Sequence, residues 1–208
     1  MKIEKIERSK HKQERILVFL EEGGLLRITE AELLHFGLYV GLDIDTETVI
    51  KLKKYGVRSE TRMRAAALAA RRPLSQKELK CRLMQKGAEE EDAVAAVEYL
   101  QELGALDDAS YAAMLVRYYS QRGYGKNRIC DELCRRGVER SMWAQALEEM
   151  PDAEDTIEAF LQKKLKGRSV DEKEIKRLSN ALLRRGFSWG EIAPVIRRFG
   201  IKTENEEE

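Results

Sequence analysis

Histidine is almost missing from this chain of 208 residues, which has only His11 and His35. There are also just three cysteines, three prolines and two tryptophans, and aromatic residues make up 7%. Each shortage excludes something. The two histidines read as a solvated residue in a polar turn and a residue at a helix end. With Cys81, Cys130 and Cys134 they do not offer the ligand spacing of a structural metal site. Cys130 and Cys134 share a helix face at i and i+4, but no further thiol or imidazole lies near them in sequence. They read as small buried core thiols, and neither a metal nor a cofactor is expected. An odd thiol count, with an N-terminus that lacks an apolar stretch (MKIEKIERSKHKQER), points to a cytoplasmic protein. No apolar run has the length of a membrane span. With 36% charged residues the composition is that of a helix-rich, heavily solvated chain. A net charge of +1 argues against a general nucleic-acid binder, whose footprint is strongly basic.

What the chain does have is a repeat, clearest in residues 126–150. Ile129 and Leu133 lie four apart on one helical face. Arg135 and Arg136 fall in the last turn, where cations suit the helix dipole. Gly137 stands where a left-handed C-cap is cheap. Val138, Met142, Trp143, Ala146 and Leu147 then form a second amphipathic helix. Aligned on the glycine, Gly87, Gly137 and Gly186 are 50 and 49 residues apart. Eight residues earlier stand Leu79, Ile129 and Leu178, and four earlier stand Leu83, Leu133 and Leu182. The residue before the glycine is Lys86, Arg136 or Arg185, and the residue after it is Ala88, Val138 or Phe187. A helical segment precedes each unit, at 63–71, 111–121 and 157–166. The predicted fold is mainly α: three tandem three-helix repeats in an elongated curved array, with a small N-terminal β-containing extension.

The expected divisions are 1–61 for a β-meander with short helices, then repeats at 62–106, 107–150 and 151–200, and an acidic tail at 201–208. In the meander, 2–8, 15–20 and 25–28 read as strands. Thr29-x-x-Glu32 opens a short helix, and a further helix over 47–55 is expected to close at Gly56. Capping boxes recur at Ser75-x-x-Glu78, Ser169-x-x-Glu172 and Ser188-x-x-Glu191. Leu103 and Leu183 are expected inward, and Trp189 over a joint. Asp107 and Asp108 have no acidic or His partner at a catalytic spacing and read as N-caps. The loop Arg122-Gly-Tyr-Gly-Lys could cradle a phosphate or stack a base, but it lacks the P-loop pattern and follows no strand.

The register Ser75-x-x-Glu78-Leu79-x3-Leu83-x2-Lys86-Gly87 resembles the RecX family, regulators of the RecA recombinase. So do Leu103-Gly104-x-Leu106-Asp107-Asp108-x2-Tyr111-Ala112 and Gly125-x2-Arg128-Ile129-x3-Leu133-x2-Arg136-Gly137-Val138. The resemblance covers about 64–199. It implies a regulator and not an enzyme: a monomer that binds the RecA–DNA filament along its groove. Such a protein inhibits recombination, ATP hydrolysis and co-protease activity. The residues agree independently, since they contain no nucleophile–base set and no nucleotide motif.

For a filament-binding surface the candidates are polar residues on equivalent faces of the repeats. They are Arg117, Tyr124, Lys126, Arg128, Arg135 and Arg136, then Lys163, Lys164, Arg184 and Arg185. An alternative is a nucleic-acid-binding helical protein using the basic helix ends of repeats 2 and 3, with weak DNA contact. A third is a helical scaffold for another protein partner.

Overall fold

The computed structural model describes residues 1–10, 14–165 and 172–198. His11, Gly167, Ser169 and the acidic tail, on which expectations rest, lie outside the described residues. Two compact units form: Met1–Pro73 with Leu79–Leu106, and Leu74–Glu78 with the described residues from Asp107 onward.

The first unit begins with strands β1 (Ile3–Arg8), β2 (Ile16–Leu20) and β3 (Leu25–Ile28), an antiparallel sheet in that order. Alternation along β2 sends Ile16, Val18 and Leu20 into the core. Val18 lies opposite Leu26 and Ile16 opposite Ile28, so both strands feed one apolar face. Three short strands cannot bury that face alone. Leu38, Ile44, Val49 and Leu52 complete it. The short helix α1 (Glu30–His35) starts at the Thr29 capping box, with both reciprocal bonds formed.

Helix α2 corrects the sequence reading. It runs unbroken from Thr46 to Ala69, capped by Asp45, and does not stop at Gly56. Gly56 is buried within it, and a β-carbon there would stand 2.5 Å from the carbonyl oxygen of Arg27 in β3. The glycine serves close approach to the sheet and is not a helix end. The second half of α2 then acts as the first helix of repeat 1. It packs with α3 (Gln76–Gln85) and α4 (Glu90–Glu102) around Ala65, Leu79, Leu83, Ala96 and Leu100. Leu103, expected inside, is 62% exposed because the helix has ended and the chain turns through Gly104.

In the second unit, repeat 2 consists of α5 (Asp108–Ser120), α6 (Lys126–Arg135) and a divided third element. The expected third helix is a 3-10 turn, Arg140–Met142, followed by α7 (Trp143–Leu147). The Trp143 indole nitrogen donates to the Val138 carbonyl at 3.0 Å, which holds this bend. Ile129, Leu133, Val138 and Ala146 are buried with Tyr111 and Leu115, as the stripe predicts. Repeat 3 has α8 (Ala153–Leu165), α9 (Glu172–Arg184) and α10 (Trp189–Arg198), around Ile157, Leu161, Leu178, Leu182 and Ile192. Leu183 is 43% exposed, one residue past the inward position of Leu182, and Trp189 is also exposed. The thiols are a further correction. Cys81 and Cys134 are exposed and Cys130 is half-buried, because the core stripe of α6 passes through Ile129 and Leu133.

Gly87, Gly137 and Gly186 all have positive φ, at 86, 74 and 91°. Each ends the second helix of its repeat in the left-handed conformation that the register predicts. Within the second unit the turns at Gly137 and Gly186 also join repeats. The Ser75 hydroxyl, at the start of α3, donates to the Arg136 carbonyl. One repeat on, the backbone N–H groups of Gly125 and Asn127 donate to the carbonyls of Arg185 and Gly186 at 2.8 and 3.1 Å. The orphan donors or cap of one second helix thus meet the orphan acceptors ending the next. Opposite helix-dipole ends come together at each joint.

Candidate functional site

The candidate site grows from one acid in a basic helix. Glu132 lies on α6 between Arg128, four residues back, and Arg135 and Arg136, three and four residues on. On a helix those positions share a side, so the four side chains must meet. Glu132 is 3% exposed in its side chain, against 46% for Arg128, 68% for Arg135 and 29% for Arg136. Its carboxylate accepts from Arg128 at 3.2 Å and from Arg135, with the Arg136 Nε at 4.0 Å. The Tyr119 hydroxyl of α5 also favours its ionised form.

Burial pushes the Glu132 carboxyl up. The bond from Arg135 and the Tyr119 hydroxyl, with the charges of Arg135 and Arg128, outweigh burial and leave it below its ordinary value. It is therefore ionised at neutral pH. One buried anion cannot neutralise three guanidinium groups, so the face carries excess positive charge on pre-oriented arginines. Arg136 is fixed a second time, donating to the Tyr111 hydroxyl at 3.1 Å. Such a surface suits carboxylates or phosphates, which a guanidinium binds in bidentate fashion.

The other predicted residues divide. Tyr124 and Arg185 come together, with the guanidinium 5.6 Å from the Tyr124 ring centre and 5.0 Å from that of Phe160. Arg185 Nη1 donates to the carbonyls of Arg122 and Gly123 at 3.0 and 3.1 Å, which makes it a joint residue. Arg117 is exposed and paired with Glu149 at 2.9 Å. Lys126 is exposed at the first position of α6, Lys163 and Lys164 in the last turn of α8, and Arg184 at the end of α9. None of these five has a contact with Glu132 among the described residues.

Sequence reasoning missed Glu132 itself. Its spacing to three arginines was visible, but its burial, set by the packing of α6, was not. Arg122 over Tyr118, at 3.5 Å, is a partial miss, since the sequence singles out only the loop. Among the described residues no cluster of His, Cys, Asp and Glu could hold a metal. No helix among them is long and apolar enough to cross a membrane.

The chain resembles known proteins along most of its length. Family models for the second and third three-helix domains of RecX match residues 107–147 and 152–196. Regulatory protein RecX of Vibrio parahaemolyticus is 36% identical over 131 residues, covering 62% of this chain and 84% of that protein. That of Pseudomonas entomophila is 37% identical over 137 residues, covering 65% and 88%. Regulatory protein RecX of Clostridium botulinum strain Eklund 17B is 28% identical over 203 residues, covering 94% and 95%. A crystal structure of a regulatory protein RecX superposes with a TM-score of 0.75 at 19% identity, covering 94% of this chain and 98% of that one. A second, from Lactobacillus salivarius, gives 0.63 at 19% identity, covering 69% and 97%.

Proposed function

This chain belongs to the RecX family of regulatory proteins, and on that premise we propose that it binds the RecA filament on DNA and restrains the recombinase. Binding runs along the filament groove and lowers strand exchange, ATP hydrolysis and co-protease activity. The protein acts without catalysis of its own, as a monomer in the cytoplasm. The observation that supports a binding role for repeat 2 is the arginine face of α6, gathered on buried Glu132. Arg128, Arg135 and Arg136 carry the main contact. Tyr124, Lys126, Arg117, Lys163, Lys164, Arg184 and Arg185 extend it over repeats 2 and 3.

The test is the DNA-dependent ATPase of RecA with the protein titrated in. Inhibition that saturates near stoichiometry is expected, and an unchanged rate at that level would sink the reading. A second reading, direct binding to single-stranded DNA, draws on Arg122 stacked over the exposed Tyr118 ring. It predicts tight oligonucleotide binding without RecA, lost steeply as salt rises.

A further inference from the structure

The first unit carries a groove that the filament reading does not use. Helix α1, the middle of α2 and the end of α4 line an open, shallow groove of about 770 Å³. Its walls expose apolar and aromatic surface: Tyr55 is 47% exposed, Tyr99 37% and Leu103 62%. His35 and Tyr55 lie with ring centres 6.5 Å apart at one end. Isolated exposed apolar side chains are ordinary, but here they line one concavity.

The floor of the groove is positive. The Arg62 guanidinium lies 4.5 Å from the Tyr99 ring centre, which fixes its orientation. Its Nε is buried without a hydrogen-bond partner. Behind it, Ser59 lines the groove and accepts from Nη1 of Arg15 at 2.9 Å. Arg15 is 4% exposed, and its Nη2 also has no partner. Among the described residues neither arginine forms an ion pair. The acid at hand, Glu32, accepts from the backbone N–H of Thr29 at 2.7 Å in the capping box. Arg62 is half-buried, so its guanidinium is partly desolvated yet still reachable, and a carboxylate brought to it would pair a cation that has no anion among the described residues.

We propose that this groove docks a short acidic–apolar peptide segment of a partner protein. One Asp or Glu side chain meets Arg62, and a neighbouring aliphatic or aromatic side chain packs between Tyr55 and Leu103. The charge of the floor selects the acid, and the exposed rim selects the apolar neighbour. A nucleic-acid strand fits less well. Its phosphates repeat at every nucleotide, whereas the groove offers one reachable guanidinium and places the Glu32 carboxylate in the wall. The site shares no residue with the arginine face of α6 and does not depend on RecA.

The experiment is selection of a displayed library of random octapeptides on the full chain, followed by affinity measurements on the enriched peptides. Enriched sequences should pair an Asp or Glu with a large apolar residue. Their affinity should fall about tenfold or more in Arg62→Gln and in Leu103→Asp, and stay unchanged in Arg135→Gln. Leu103 is exposed, so its variant reports on the groove even where loss of Arg62 weakens the fold. No enrichment, enrichment of peptides without acids, or equal binding to both groove variants would overturn the proposal. So would an oligothymidine that binds the chain in an Arg62-dependent manner more tightly than the selected peptides.

Discussion

Gly186 packs so closely on Arg128 that a β-carbon on the glycine would collide with the Arg128 backbone nitrogen. The turn that ends α9 is therefore pressed onto the first turn of α6, and the glycine is required twice, once for its φ of +91° and once for space. Gly87, at the equivalent place in repeat 1, has φ of +86°, but a β-carbon there would meet nothing within 4 Å.

These two glycines separate conformational strain from steric contact. Gly87→Ala should cost about 1 kcal/mol, the price of a left-handed alanine. Gly186→Ala should cost roughly 1–3 kcal/mol more, because the joint must open. Urea unfolding of the two variants checks this, and equal losses would mean that the Gly186 contact is not needed. At Gly137 a β-carbon would stand 2.9 Å from Lys77 Cβ and 2.8 Å from its Cδ, so Gly137→Val should cost at least about 1–2 kcal/mol, as strain and as contact together. Binding to the RecA filament should fall further than that loss explains, measured well below the melting point.

Leu133 is fully buried in repeat 2. Leu133→Ala should cost about 2–5 kcal/mol, and Leu133→Asp should unfold the repeat by burying an unpaired charge. Circular dichroism melts decide, and a wild-type transition in the aspartate variant would remove Leu133 from the core.

Glu132→Gln keeps the shape of the hub and removes its charge, at a cost of about 1–3 kcal/mol at neutral pH. The folded pKa lies below the ordinary value of 4.5, so the contribution is full above 4.5. It is lost as pH falls through the folded value. The stability gap between wild type and Glu132→Gln should close in acid, and a gap independent of pH would contradict ionic anchoring.

Asp108 should show the opposite sign. Burial raises its carboxyl, partly offset by the Gln76 N–H that it accepts at 2.9 Å. Asparagine keeps an acceptor without the charge. Asp108→Asn should equal or exceed wild type in stability above the folded pKa. Any gain should vanish as pH falls towards 3.8, the ordinary value. A denaturation series across pH tests it.

Arg128→Gln with Arg135→Gln removes two of the three arginines gathered on buried Glu132, so the melting temperature should fall as that carboxylate loses partners. Measured well below that melting temperature, RecA inhibition should require about tenfold more of this variant. Inhibition at the wild-type concentration would remove the α6 face from the proposed interface.

Much of the architecture could be read along the chain because its signals are local. Leu79 and Leu83, Ile129 and Leu133, and Leu178 and Leu182 are spaced by the helical period. Gly87, Gly137 and Gly186 mark where those helices end. Thr29 with Glu32 and Ser188 with Glu191 form the boxes that their spacing predicts. Each of these depends on residues within one or two helical turns, so sequence alone determined the second helix of each repeat, its glycine end and these two caps.

The rest depends on residues far apart in the chain. Gly56 looked like a helix end because the local rule for glycine favours one, but the nearness of the Arg27 carbonyl decided its role. Arg185 read as one more polar candidate for the binding surface, and only the carbonyls of Arg122 and Gly123 showed that it also holds a joint. Glu132 became a hub only when the fold buried it, and Arg62 faces a groove only because Tyr99 returns from α4. Burial and charge pairing are set by what the fold brings near a side chain, so only the tertiary structure decided which charges are anchored and which remain available to a partner.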